Sequence, residues 1–136
     1  VERGSSSEAF VQNIDFGATM LDMAGAAVPD QIQGRSMVPL MKGDTPDDWC
    51  DSLYYQYFEF PGYHSVRRHY GVRTERYKLI HYYRMDEWEL FDLQEDPEEL
   101  NSVYGDPDYA DVQKRMKQEL RRLQDKYEVP ADIALD

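Results

Sequence analysis

The sequence predicts an α+β fold: a four-stranded antiparallel sheet, a long C-terminal helix packed on one of its faces, and a short N-terminal helix. Three observations point there. Four aromatic and β-branched runs follow one another between residues 53 and 93, each about strand length. Asp106-Pro107 then opens a stretch whose apolar residues recur at helical spacing as far as Tyr127. A shorter helical pattern fills residues 15–24 and stops at Gly25.

Taken in order, residues 1–9 (VERGSSSEA) are polar and rich in Gly and Ser, and read as a linker or frayed end. Residues 10–136 read as one segment. Asp15 is placed to cap the first helix, with Phe16, Met20 and Met23/Ala24 as its apolar stripe and Pro29 beyond its stop. "GRSMVPLMKG" predicts a helical turn capped by Ser36 and closed by Gly43, and "DTPDDW" a loop. The strands follow as LYYQYFEF (53–60), SVRRHYGV (65–72), YKLIHYY (77–83) and EWELFDL (87–93). Pro61-Gly62, Thr74-Glu75 and Met85-Asp86 link them, which predicts a meander. Val112, Met116, Leu120, Leu123 and Tyr127 then mark the stripe of the 106–127 helix, which needs a sheet face to cover, and Pro130 ends it.

Composition narrows the function. A net charge of −12 argues against nucleic-acid binding, which needs a dominant basic face. One cysteine, Cys50, excludes an internal disulfide and any multi-cysteine metal site; it reads as a small buried hydrophobe. No apolar run approaches the roughly 20 residues of a membrane span. The chain opens on Val rather than Met, which reads as a piece of a longer polypeptide.

One segment departs from the acidic background. Residues 63–84, YHSVRRHYGVRTERYKLIHYYR, hold all three histidines and six Arg or Lys residues against one acid, Glu75. Alternation would place Val66, Arg68, Tyr70 and Val72 on one face of a strand, the better core face. Arg67, His69, Gly71 and Arg73 would lie on the other, with His64 in the preceding loop. His81, inside KLIHYY, reads as a strand residue satisfied in place. A zinc site is not indicated, because no carboxylate stands at ligand spacing. Asp47-Asp48 and EDPEE lack an EF-hand's glycine and spacing, and read as solvated loop acids. Two readings of the cations stay open: ordinary surface charges paired with nearby acids, or a binding edge for an anion. The eight tyrosines between residues 54 and 83 divide the same way, between sheet packing and a sugar-stacking surface.

Three stretches together resemble the C-terminal part of the type I sulfatases. "NIDFGATMLDMAG…VPDQIQGRSMVPLMKG" is similar to that family's D-x-x-P-T-x-L-x-x-A-G followed by G-x-S-hydrophobic. "YGVRTERYKLIHYY" resembles the strand pair that follows, and "WELFDLQEDPEELNSVYGDP" the closing L-Y-D-L-x-x-D-P-x-E-x-x-N. Ala18 stands where the family usually has proline, and Phe91 where tyrosine is commoner. The stretch 54–93 looks most like the branch acting on sulfated glycans, N-acetylglucosamine-6-sulfatases among them.

The resemblance implies a formylglycine nucleophile, made from cysteine in a C-x-P-S-R context, and a calcium ion. Neither belongs to this chain, whose only cysteine stands in WCDSL. The expectation is therefore a C-terminal subdomain without catalytic residues, metal ligands or cofactor of its own. Its implied partners are a missing N-terminal catalytic domain of the same protein and a sulfated saccharide, contacted by His64, Arg67 and His69. An extracytoplasmic setting, whether periplasmic, secreted or lysosomal, is implied too. The competing reading is a stand-alone module that binds an anionic glycan unaided.

Overall fold

The computed structural model describes residues 3–130; the outermost ends of the expected linker and subdomain, residues 1–2 and 131–136, lie outside them. The described residues fall into two compact units that divide after Asp51.

The first unit carries α1 (Asp15–Met23) and a single turn, α2 (Val38–Met41). Asp15 does not cap α1 as expected. Ile14 is the N-cap residue, and Asp15 opens the first turn, 5% exposed. Its carboxylate accepts the backbone N–H groups of Gln12 (2.7 Å) and Arg35 (2.8 Å), so it ties two segments together. Thr19 extends the tie: its hydroxyl donates to the Asp15 carbonyl at 2.7 Å and accepts the Met37 N–H at 2.9 Å. Gly34 lies against this junction, and a Cβ there would stand 1.9 Å from the Ile14 carbonyl oxygen. The close approach explains why glycine occupies the first place of the G-x-S stretch. Gly25, at φ +69°, ends the helix as predicted. The stripe of α1 is a different matter. Phe16, Met20 and Met23 are 53%, 67% and 69% exposed, while Ala18 and Thr19 are buried.

The second unit is a four-stranded meander, β1 (Ser52–Tyr57), β2 (His69–Thr74), β3 (Tyr77–Tyr82) and β4 (Glu87–Asp92), every neighbour antiparallel. A 3-10 turn (Pro107–Tyr109) leads into α3 (Ala110–Lys126). The Asp106 side chain caps the turn by accepting the Asp108 N–H at 2.9 Å, as the Asp-Pro signal predicts. Tyr54, Tyr70, Val72, Tyr77, Leu79, Trp88 and Leu90 face α3, which seals them with Met116, Leu120 and Leu123. Burying such side chains gains about 1.5–3 kcal/mol each, so this layer dominates the unit's stability. Past β4 the chain folds back: the Val103 N–H donates to the Leu90 carbonyl at 2.8 Å, and the Ser102 hydroxyl accepts the Leu90 N–H.

Two strand boundaries need correcting: β1 ends at Tyr57 rather than 60, and the start of β2 shifts as well. Strand β2 starts at His69 rather than 65, because pairing with β1 begins at Tyr57↔His69. Residues 58–68 form a loop with a cis Phe60–Pro61 bond and Ser65 at φ +53°. Val66, Arg67 and Arg68 therefore sit on no strand face, and Val66 is 39% exposed rather than core. The alternation holds where the strand exists. Tyr70 and Val72 look toward α3; His69, Gly71 and Arg73 look away.

Candidate functional site

Four of the six Arg and Lys residues in 63–84 separate into two kinds. Arg76 donates to Asp92 from both Nε and Nη2, at 2.9 and 2.7 Å, and Lys78 is ion-paired to Glu99. These are structural, and Glu99 of the EDPEE stretch is thereby a pairing partner rather than a solvated acid. Arg67 and Arg84 have no ion pair among the described residues.

His69 projects from the sheet face opposite α3, among three tyrosines. Its ring lies stacked on Tyr57 with centroids 5.6 Å apart, and near Tyr82 at 5.5 Å and Tyr55 at 5.9 Å. Its Nδ1 is 2.8 Å from the Arg67 carbonyl oxygen. A carbonyl only accepts, so Nδ1 carries the proton and Nε2 of the neutral ring is left as an acceptor. The hydroxyls of Tyr55 and Tyr57 are buried and have no hydrogen-bond partner among the described residues. Burial pushes the Tyr55 phenol well above the ordinary tyrosine range, with Glu99 adding to the effect. Gly71 makes room for Tyr55: a Cβ there would stand 2.5 Å from its hydroxyl.

Beside this aromatic cluster lies a cleft of about 320 Å3, lined by Phe60, Arg67, Arg68, Tyr82, Arg84 and Met85. The Arg67 guanidinium carbon stands 4.5 Å from the centroid of the Phe60 ring, a cation–π contact that fixes the group at the rim. Tyr82 is shared by the cleft and the His69 cluster; its hydroxyl donates to Glu89 at 3.0 Å. Burial, and then that bond to Glu89, push the Tyr82 phenol up to about 12, so it stays protonated at neutral pH.

Arg67 and His69 are thus brought together. His64 stands apart: it is exposed in the loop, with its ring edge-on to Tyr63 at 5.1 Å, and does not line the cleft. Arg68 and Arg84 are the residues the sequence did not single out. Arg84 reaches the cleft from the turn between β3 and β4, so its only signal was membership of the basic stretch. His81 is satisfied in place, Nδ1 2.8 Å from the Tyr70 hydroxyl and Nε2 3.1 Å from Asp86, its ring stacked on Trp88 at 3.8 Å. A larger cavity, about 510 Å3, lies in the first unit between residues 5–11 and 37–43, with Lys42 as its only charged lining residue. It offers no reactive constellation.

The side chains present do not fit the implied calcium or formylglycine. No C-x-P-S-R context exists in the sequence, and among the described residues no three His, Cys, Asp or Glu gather where they could hold a metal ion. Nor is any helix among them long and apolar enough to cross a membrane.

The chain is similar to known proteins over nearly its whole length. The family described as N-sulphoglucosamine sulphohydrolase, C-terminal, matches residues 1–126. An N-acetylglucosamine-6-O-sulfatase of Bacteroides thetaiotaomicron is 47% identical over 130 residues, 93% of this chain and 23% of that protein. A solved structure of a protein in complex with its substrate D-glucosamine-2-N,6-O-disulfate superposes with a TM-score of 0.93 at 44% identity, covering 98% of this chain and 28% of that one. The phosphonate monoester hydrolase of Agrobacterium radiobacter follows at a TM-score of 0.69 and 28% identity, over 83% of this chain and 24% of that one. The chain spans about a quarter of the length of these relatives. Sulfate and phosphonate chemistry share the fold, so the fold alone does not choose the ester.

Proposed function

The chain belongs to the N-sulphoglucosamine sulphohydrolase C-terminal family, and we propose on that premise that it is the C-terminal subdomain of a sulfatase acting on sulfated glycans such as 6-sulfated N-acetylglucosamine. In this reading residues 10–136 form the subdomain, residues 1–9 lead into it, and the nucleophile and calcium belong to a catalytic domain of the same polypeptide. The protein would then work where sulfated glycans are met, outside the cytoplasm.

The observation that carries the proposal is the meeting of Arg67 and His69 around Tyr82, at the edge of an arginine-lined cleft, in a chain of net charge −12. An acidic protein that holds an anionic sugar must confine positive charge to the place where the sugar lies. Arg67 offers a planar fork that suits a sulfate or a ring hydroxyl. His69 offers Nε2 as an acceptor for a ring hydroxyl, and His64, exposed in the loop beside Tyr63, can add a donor. The subdomain's part is to bind and orient; it moves no proton and breaks no bond. The exposed stripe Phe16, Met20 and Met23 suits a partner surface of the catalytic domain. A stand-alone module is the weaker reading, since the 6-O-sulfatase and the disulfate-bound protein that it matches are each several times longer.

The test uses the full-length protein. His64→Ala, Arg67→Ala and His69→Ala are expected to lower kcat/KM on a sulfated glycan roughly tenfold to hundredfold, the worth of one hydrogen bond to a charged group. A small aryl sulfate, which lacks the sugar hydroxyls, should lose far less. Equal losses on both substrates would mean general damage, and no loss in any variant would return these residues to the ordinary surface.

A further inference from the structure

Given the sulfated-glycan reading above, we propose that the cleft between the β1–β2 loop and the β3–β4 turn binds a second oxyanion of the glycan, one that is not hydrolysed, with Arg67 and Arg84 as its principal ligands.

Three features carry this. The cleft is lined by three guanidinium side chains, Arg67, Arg68 and Arg84, and no carboxylate is among its lining residues. Like charges gathered around one space repel unless an anion enters between them. Arg67 and Arg84 differ in this from Arg76 and Lys78, which each hold an acid of their own. Secondly, the cleft is of a size for one sugar unit or its charged substituent: about 320 Å3 lies at the low end of ligand pockets. Its remaining walls, Phe60, Tyr82 and Met85, suit the apolar face of a pyranose. Thirdly, Arg67 is held over Phe60 rather than by a carboxylate, which orients its fork and leaves its N–H groups for a ligand.

The ligand class is an oxyanion on a sugar: an N-sulfate or second sulfate ester on the same ring, or the carboxylate of a linked uronate. These share the chemistry that arginine forks recognise, and the substrates used in the test separate them. A nucleic acid is disfavoured, since one short cleft in a chain this acidic offers no track for a phosphate backbone.

The experiment measures kcat/KM of the full-length protein on glucosamine 6-sulfate, on glucosamine 2-N,6-O-disulfate, and on a disaccharide joining glucosamine 6-sulfate to a uronate. Arg84→Gln, and separately Arg67→Gln, should lower the preference for one of the doubly charged substrates over glucosamine 6-sulfate by roughly tenfold or more. Which of the two substrates loses its advantage identifies the source of the anion. Arg84→Lys, which keeps the charge and loses the fork, should restore part of the preference. An unchanged preference in both Gln variants overturns the proposal, even where His69→Ala still separates glycan from aryl sulfate and the functional reading stands. A drop in the melting temperature of Arg84→Gln without any change in preference would assign the arginine to an ion pair with the rest of the polypeptide, which also overturns it. If none of the three sugars is turned over, the functional reading fails and this one with it.

Discussion

Arg76 grips Asp92 through two parallel hydrogen bonds, and the two groups differ sharply in exposure: the carboxylate side chain is 2% exposed, the guanidinium 44%. Asp92 also accepts the Gln94 N–H at 3.2 Å and the Tyr109 hydroxyl at 3.3 Å, and its own carbonyl receives the N–H groups of Glu95 and Asp96. The L-F-D-L-x-x-D-P stretch is therefore a knot that turns the chain out of β4 and anchors the start of α3.

Removing that charge should be costly at neutral pH. Asp92→Asn keeps the shape but loses the ionic partner of Arg76, and is expected to destabilise the chain by about 1.5–3 kcal/mol. The Arg76 guanidinium beside Asp92 holds its carboxyl below the usual carboxylate range. Stability from this group is therefore present above the unfolded value near 3.8 and lost as pH falls through the folded one. Urea unfolding of both proteins at pH 7 and at pH 3 should show the gap shrinking in acid. A gap of equal size at the two pH values would refute the assignment.

Gly71 predicts a steric effect within the sheet. A Cβ there would stand 2.3 Å from the Leu79 carbonyl oxygen and 2.5 Å from the Tyr55 hydroxyl. Gly71→Ala is expected to cost about 1–3 kcal/mol by overpacking. Tyr55→Leu in the same chain should recover only part of the loss, because the backbone of β3 remains in the way. Full recovery would place the strain on Tyr55 alone.

Gly34 predicts a larger effect in the first unit. An alanine methyl there would meet the Ile14 carbonyl at 1.9 Å and the Asp15 N–H nitrogen at 2.8 Å, both backbone atoms. Gly34→Ala should therefore open the clasp made by Asp15, Thr19, Arg35 and Met37, at a cost of roughly 3 kcal/mol or more. Hydrogen exchange at the amides of Arg35 and Met37 reports it directly. Unchanged protection at both amides would show that the loop yields without breaking its ties.

These examples show what the residue pattern makes legible. Strands β1, β3 and β4 and the stripe of α3 follow from aromatic alternation and helical spacing, signals that act within a few residues. The start of β2 does not, because SVRR has strand composition while its pairing depends on β1, and Ser65 at φ +53° breaks the extended path. The stripe of α1 shows a helix in the sequence without showing whether anything covers it. Asp15 reads as a cap because its position is right, yet its carboxylate serves Arg35, twenty residues away. In the candidate site, alternation puts Arg67 and His69 on one strand face, yet Arg67 lies in the loop before β2, and the two groups meet only near Tyr82. Arg84 joins them only through the sheet's turn, a contact that no local pattern announces.

His81 predicts a second, separate pH window. Its Nε2 lies 3.1 Å from the Asp86 carboxylate, which only accepts, so Nε2 carries the proton and Nδ1 accepts from the Tyr70 hydroxyl. Protonating the ring would turn Nδ1 from acceptor to donor against that hydroxyl and place a charge between Trp88 and the core. Burial accordingly pushes the imidazole below the ordinary histidine value, while Asp86 pulls the other way. The unfolded chain takes up this proton near pH 6.5 and the folded chain only at lower pH. The stabilisation is complete above about 6.5 and is lost as pH falls from there through the folded value, a window that opens at higher pH than that of Asp92. A ring-resonance titration should give a midpoint below 6.5 for His81, and Asp86→Asn should move it lower still by removing the one group that favours the charge. A midpoint above 6.5, or an upward move in Asp86→Asn, would mean that the carboxylate rather than burial governs this histidine.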